Sequence, residues 1–354
     1  MAGDSGHVFL NPQSNKDSML FEAASMLALN AGIGEVVAMH PVDGGANNRV
    51  YKIECKEKKA LLKAYFSHPS DPRDRLGAEF FFMKFAWLVG IRAIPEPLGC
   101  DRANGIAIYE WVDGYSLKPG EIKLKHVLQA LDFFIELNKS KNSAYDLNAG
   151  SEACFSLSDH MNMIERRVLR LISVNPFSET DRQANEFVKQ KLLLAWKEVQ
   201  EKIIKEIKSI GIKIDDPLAP TNRCISPSDF GFHNAIVTNG EKIKFIDFEY
   251  AGWDDPAKTV CDFFCQPKIP VPYEFFDIFT EKVVKGLPEQ ERHRLRILSL
   301  FPAYQIKWCC IILNDFLQVG GERRRFANDG FDLEKQKAIQ LKKAEALLNR
   351  INVN

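Results

Sequence analysis

The sequence has no excess of charge: 47 Lys and Arg balance 47 Asp and Glu. A protein that neutralises many phosphates carries a basic surplus as a rule, so no nucleic-acid partner is expected, although a local patch of either sign stays open. Metal-binding spacings are missing too. The eight cysteines form no CxxC pair and the seven histidines no HxH or HExxH pattern, which argues against a structural zinc site. Cys261 and Cys265 lie at helical spacing and Cys309 and Cys310 are adjacent. All eight are expected to be reduced, mostly buried thiols. Met1 to Lys16 holds no apolar core of a secretory signal. The most apolar stretches, such as Ile306 to Phe316, are short and interrupted, so no membrane span is expected. Internal repeats and low-complexity tracts are absent. With these classes set aside, the expectation is a cytoplasmic protein with neither a nucleic-acid nor a membrane partner. The oligomeric state is open.

What is present is ordinary globular material: 354 residues, 45% hydrophobic and 27% charged, enough for two domains or one bilobal unit. Ser18 to Asn30 has helical periodicity. Val36 to Phe66 is strand-like, in three pieces separated by turn residues (VVAMHPVDGG, NRVYKIEC, KALLKAYF). Arg75 to Val89 predicts a Phe-rich helix, Pro95 and Pro97 interrupt the chain, and Gly105 to Val112 predicts a strand closed by Asp113-Gly114. Beyond Lys118 the periodicity is helical over 122–137, 159–172, 181–207, 273–285, 289–317 (open to a break near Pro302) and 333–351. Two strands, 235–238 and 242–248, interrupt it around the hairpin signal Asn239-Gly240. The reading is a small β-rich N-terminal lobe, residues 1–113, and a larger α-rich C-terminal lobe, residues 114–354.

Chemistry concentrates in Ser226-Pro-Ser-Asp-Phe-Gly-Phe-His-Asn234 and Ile246-Asp-Phe-Glu249. Asp229 and Asn234 are five apart on a loop, and Asp247 follows 13 residues later at a strand end. Two acids and an amide held together suit two tasks. One acid accepts a hydroxyl proton; the amide and the other acid offer Mg²⁺ the oxygen ligands that hard ion requires.

The pattern D-x-x-x-x-N followed by I-D-F resembles the catalytic and metal loops of the protein-kinase-like fold. Its wording is closer to the aminoglycoside phosphotransferase and choline kinase superfamily, where H-G-D-x-x-x-x-N precedes I-D-F/W-E-x-A-G and a D-P pair. This chain has Ile246-Asp-Phe-Glu-Tyr-Ala-Gly252, then Asp255-Pro256 and Asp262. The resemblance runs from about Val36 to Phe264. It implies a bilobal α+β kinase-like fold and ATP- and Mg²⁺-dependent transfer to a hydroxyl of a small metabolite, sugar or aminoglycoside-like acceptor. Residue by residue, it implies that Asp229 is catalytic and that Asn234 and Asp247 hold metal. Gly44, Gly45, Asn47 and Asn48 fall in the nucleotide-covering loop, whose small residues let backbone N–H groups approach phosphates. Lys63 falls where the phosphate-gripping lysine falls, Glu79 where its partner acid falls, and Glu110 to Val112 where backbone groups meet adenine. Asp262 falls where a brace for the catalytic loop falls.

One departure is clear. The usual His and Gly before the catalytic Asp are Pro227 and Ser228. That motivates an alternative, a nucleotide-binding regulatory protein with little transfer activity. The retained Lys63, Asp229, Asn234 and Asp247 argue against it. Transfer to a protein hydroxyl is disfavoured because no A-P-E-like segment follows Asp247. Taken singly, each signal has a plain structural reading: a glycine turn, a snorkelling lysine, a surface acid, an Asx turn. Their order and spacing carry the inference. His233 defaults to an exposed position. Glu249, Asp254, Asp255, Trp308, Asn314 and Asp315 are open between structural and acceptor-facing roles. The run Glu322 to Arg325 and the last helix default to solvated surface.

Overall fold

The computed structural model describes residues 15–42, 48–66, 73–209, 211–317 and 332–351. Gly44, Gly45, Asn47 and the Glu322–Arg325 run lie outside the described residues.

Helix α1 (Asn15–Asn30) leads into an antiparallel sheet of β1 (Val36–Pro41), β2 (Arg49–Cys55), β3 (Lys59–Ala64), β4 (Pro97–Asp101) and β5 (Ile106–Glu110), in the order β1-β2-β3-β5-β4. Residues of alternate parity on β2 and β3 are buried, as a one-sided sheet requires. Tyr51, Ile53, Leu62, Ile106 and Ile108 pack with Ala24 and Leu27 of α1 in one small core. β4 was not legible in the sequence, because Pro97 reads as a breaker. It forms here as an edge strand, where a missing N–H costs no ladder bond. Helix α2 (Arg75–Leu88) begins at Asp74, whose carboxylate accepts the Gly77 N–H at 2.8 Å.

The C-terminal part is helical. α3 (Leu124–Lys139), α4 (Leu157–Ile172), α5 (Glu179–Phe187) and α6 (Leu193–Ser209) precede the loop region; α7 (Pro256–Cys265), α8 (Phe276–Lys285), α9 (Gln290–Ile312) and α10 (Leu333–Leu348) follow it. α5 and α6 run on through one π-helical turn, Val188–Leu192. Capping boxes at Ser156/Asp159 and Ser178/Asp181 start α4 and α5. Pro302 does not break α9, which stays helical through Ile312 and ends in a 3₁₀ turn, Leu313–Phe316. By length and composition Gln290–Phe316 is apolar enough to cross a bilayer, contrary to the sequence reading. Its residues Ile297, Leu300, Ala303, Tyr304 and Ile306 are buried among the other helices, so the apolarity is that of a core helix.

Between α6 and α7, β6 (Cys224–Ser226) pairs with β9 (Gly252–Asp254) and β7 (Ala235–Val237) with β8 (Ile243–Phe245). The hairpin forms around Asn239-Gly240 as expected. Tyr115 pairs across to Val237, with N–H···O distances of 3.0 and 2.8 Å. A Cβ at Gly114 would lie 2.3 Å from the Val237 carbonyl oxygen, so only glycine allows this approach.

Behind β6 and β9 lies a buried charged cluster. Asp254 pairs with Lys258, and Asp255 with Arg296 and His160; all five side chains are almost fully buried. His160 also lies 2.6 Å from the Tyr304 hydroxyl. Burial disfavours the charged ring, but the Cys154 sulfur and the Asp255 carboxylate outweigh it and raise the His160 pKa to about 9. An unfolded histidine titrates near 6.5. The stabilisation is therefore complete below about pH 6.5 and lost as pH rises through 9. Urea titrations at pH 6.5 and pH 9 should differ on the order of 3 kcal/mol in unfolding free energy, and His160→Phe should flatten that difference. Equal midpoints in the native protein would refute the assignment.

Candidate active site

Polar site residues alternate with phenylalanines that anchor them. Phe230, Phe232, Phe245 and Phe248 are all buried, next in sequence or nearly so to Asp229, His233 and Asp247. Phe230 packs at a tilt against Phe245 and Phe263, with ring centroids 5.0 and 4.9 Å apart, and Phe248 likewise against Phe82 of α2 at 4.7 Å, while Phe133 stacks on Phe245 at 5.1 Å. Such aromatic pairs add to simple burial and hold both loops on one rigid floor.

On that floor the predicted residues meet through one chain of hydrogen bonds. Asn234 donates its side-chain N–H to the Asp229 carbonyl at 3.0 Å and lies 3.3 Å from Oδ2. Those bonds use the amide nitrogen, and the amide oxygen carries neither of them. The Ile246 N–H donates to the Asn234 carbonyl at 2.9 Å, which brings Asp247 beside Asn234. Asp247 accepts from Lys63 Nζ at 2.5 Å, and Lys63 donates to Glu79 at 2.7 Å. Glu79 in turn accepts the Phe248 N–H at 3.1 Å and the Tyr65 hydroxyl at 2.6 Å, and Tyr65 meets the Tyr109 hydroxyl at 2.7 Å. Strand β3, helix α2 and the two loops are thereby closed into one circuit.

The electrostatics follow from burial. Lys63 and Glu79 are 5% and 3% exposed. Burial opposes the Lys63 charge, yet Asp247, Glu79 and Glu249 together raise its pKa, so it stays a cation. Burial pushes the Glu79 carboxyl up against the pull of Lys63. Burial also pushes Asp229 up, but hydrogen bonds from His233 and Asn234 and the nearby Lys307 charge outweigh it and hold the carboxyl below its ordinary range. Asp229 is therefore an ionised acceptor at neutral pH.

Two residues of the loops adopt left-handed backbone: Ser228 at φ +62° and Asp247 at φ +67°. Aspartate tolerates this region better than most residues; for serine it costs about 1–2 kcal/mol. Ser228 occupies the place where the related motif carries glycine. Hydroxyl groups brace the backbone there. Ser226 Oγ accepts the Ser228 N–H at 3.0 Å, and Thr259 of α7 bonds Ser226 Oγ at 2.8 Å.

Other expectations changed on folding. His233 is not exposed: its side chain is 10% accessible and Nε2 lies 3.2 Å from Asp229 Oδ1. Glu249 is buried, accepts from Asn48 at 2.7 Å and lies 3.7 Å from Arg75, and so joins the start of β2 and helix α2 to the loop after β8. Asp254 and Asp255 are fully buried and belong to the charged cluster. The Asp262 carboxylate is held by Lys307 at 2.7 and 2.8 Å and by Trp308 at 2.9 Å, so its contacts run to α9. Asp315 is buried. The N–H of Glu110 is already donated to Glu96, and its carboxylate accepts from Lys244 at 2.6 Å. Arg75, Tyr65 and Lys307 were not singled out from the sequence. A buried lysine inside the apolar run 306–316 was a signal for the last of them.

Residues 38–265, more than half of the chain, match the model of the phosphotransferase enzyme family. Solved structures with the same fold include a choline kinase from Cryptosporidium parvum (14% identity, 94% of this chain and 95% of that one, TM-score 0.58). They also include a spectinomycin phosphotransferase in complex with ADP and spectinomycin (12%, 95% and 98%, 0.58) and an ethanolamine kinase from Plasmodium vivax (17%, 94% and 89%, 0.54). Among curated proteins none matches the sequence. At these identities the structural likeness is one of fold: a bilobal, protein-kinase-like architecture. The chain belongs to the phosphotransferase enzyme family.

Proposed function

We propose that this protein is an ATP- and Mg²⁺-dependent kinase that phosphorylates a hydroxyl of a small molecule. The observation that carries the proposal is the circuit Asp229–Asn234–Asp247–Lys63–Glu79, in which an ionised carboxylate, two oxygen donors and an oriented buried cation converge. Asn234 and Asp247 fit Mg²⁺ by chemistry, since both offer hard oxygen and the Asn234 amide nitrogen is already engaged elsewhere. Bound there, the ion would offset the charge of the phosphates. Lys63, kept charged and aimed by Glu79, grips the nucleotide phosphates. Asn48 stands at one end of the segment that resembles a nucleotide-covering loop by its sequence, Gly44, Gly45 and Asn47 included. Backbone groups of Glu110 to Val112 face the base. Asp229 takes the proton of the acceptor hydroxyl while the hydroxyl oxygen bonds to the γ-phosphorus, the bond from that phosphorus to the bridging oxygen breaks, and ADP leaves. Positioning and charge compensation carry such a reaction.

The hydroxyl brace at Ser226 and Thr259 supports an active enzyme over a regulatory nucleotide binder, because the loop has a support despite Pro227. Eight unpaired cysteines and a need for ATP fit the cytoplasm. The test is acceptor-dependent ADP release from MgATP, run against small alcohols, amino alcohols, sugars and aminoglycosides. Release with one acceptor class names the substrate class. ATP-induced thermal stabilisation with no release from any acceptor or from a metabolite extract would favour the regulatory reading.

Lys63→Met should weaken ATP binding about 10–100-fold, the worth of a charge-assisted phosphate contact. It should also lower stability, because Glu79 keeps its burial and loses its counter-charge. Calorimetric titration with ATP checks the first effect and urea unfolding the second; an unchanged ATP affinity would remove Lys63 from the nucleotide site.

A further inference from the structure

Three features of His233 are unexplained by the reaction as described. The ring is nine-tenths buried beside Asp229, although its neighbours Phe232 and Asn234 already anchor the turn. Its Nδ1 is buried with no hydrogen-bond partner among the described residues, a costly arrangement for a group with only packing duty. A niche is also cut for it: a Cβ on Gly231 would lie 2.8 Å from Nδ1 and 3.1 Å from Cε1. Gly231 has extended backbone, φ 170°, which any residue adopts, so the glycine there serves the space and not the conformation.

An ionised carboxylate only accepts hydrogen bonds, so the ring must donate Nε2–H to Oδ1. Asn234 approaches the other oxygen, Oδ2, at 3.3 Å. The two donors come from opposite ends of the carboxylate and fix its rotation about the Cβ–Cγ bond. Without the ring, the carboxylate keeps only the longer, weaker contact from Asn234 and turns freely.

We propose that His233 is the positioning residue of Asp229. Its Nε2–H pins Oδ1 and leaves Oδ2 as the oxygen that faces the acceptor hydroxyl, and Gly231 is glycine so that the ring fits. The backbone brace of the loop is supplied separately by Ser226 and Thr259, so the histidine acts on the carboxylate and not on the loop. The proposal rests on the reading of Asp229 as the base of a phosphotransferase.

Glutamine places an amide nitrogen near the position of Nε2, whereas asparagine is too short and reaches only the position of Nδ1. His233→Ala and His233→Asn should therefore lower kcat for ADP release about 10–100-fold, the worth of one hydrogen bond to a charged group, with the KM for ATP unchanged. His233→Gln should recover most of the loss. Gly231→Ala should reproduce it without removing any hydrogen-bonding group. Unchanged kcat in His233→Ala overturns the proposal, as does an equal loss in the alanine, asparagine and glutamine variants accompanied by a lower melting temperature, since that marks a packing role. A second readout is independent of turnover. In ¹⁵N-histidine-labelled protein, the His233 ring, assigned by its loss in His233→Gln, should carry a proton on Nε2 that exchanges slowly with solvent because Asp229 accepts it, and should lose that protection in Asp229→Ala. If the native protein releases no ADP with any acceptor or with water, the phosphotransferase reading fails while this spectrum still judges the pair; an Nε2 position with no protected proton in the native protein overturns the positioning role.

Discussion

Asp229→Asn is expected to lower phosphoryl-transfer turnover about 10²–10⁴-fold, the range for loss of a general base, and to leave ATP affinity within about twofold. The substitution is nearly isosteric, so the loop has no steric reason to move. What changes is chemistry. The carboxylate at 229 is held ionised by His233, Asn234 and the Lys307 charge against the effect of burial. An amide there has no basic oxygen for the hydroxyl proton. In the proposed reaction the nucleotide contacts fall to Lys63, Asn234 and Asp247, none of which is removed. ADP release measured beside calorimetric ATP titration separates the two quantities. Turnover like that of the native protein would take Asp229 out of the reaction. A parallel collapse of ATP affinity would mean that the variant had lost the loop rather than the base.

The largest effect on stability is expected at Asp255, in the buried charged cluster. Its carboxylate is fully buried, pairs with Arg296, accepts from His160 and caps α7 by taking the Ala257 N–H at 2.7 Å. Burial alone would push this carboxyl up; Arg296 and His160 instead hold it far below the usual carboxylate range. Asp255→Ala leaves Arg296 buried without a counter-charge, at a cost of about 3–5 kcal/mol, and deletes a helix cap worth about 1 kcal/mol. Urea unfolding at pH 7 measures the loss. The double variant Asp255→Ala/Arg296→Met should recover part of it, since removing both charges restores balance. Because the folded pKa is depressed, the Asp255 contribution is present above the ordinary carboxylate range and disappears as pH falls through the folded value. The advantage of the native protein over the double variant in unfolding free energy should therefore shrink as pH falls below about 4. A loss below 1 kcal/mol in Asp255→Ala would mean that the cluster carries little of the fold's stability.

The family, the two-lobed layout and the order of the chemical residues were readable without coordinates because each is local. A glycine turn, a lysine on a strand, an acid on the next helix and Asp229 with Asn234 five residues on are patterns of spacing. The strands and helices around them follow from periods of 2 and 3.6 and from turn and cap residues such as Asn239-Gly240 and Ser156. Contacts between distant segments had no such signature. Pro97 marks a break in one dimension and an edge strand in three, because only the sheet decides which N–H groups face a neighbour. His233 belongs to no motif, and its default was solvent; the fold buries it only because Phe232 turns inward and Gly231 leaves room for the ring. Asp254 and Asp255 stood open between turn and acceptor-facing roles, and their partners, Lys258, Arg296 and His160, lie up to 95 positions away. Residue types and their spacing pointed to Lys63, Glu79, Asp229, Asn234 and Asp247, and to none of Tyr65, Arg75 and Lys307. The tertiary structure decided which of them are charged, paired and aimed, since burial and the nearest counter-charge set those properties and neither is a function of spacing along the chain.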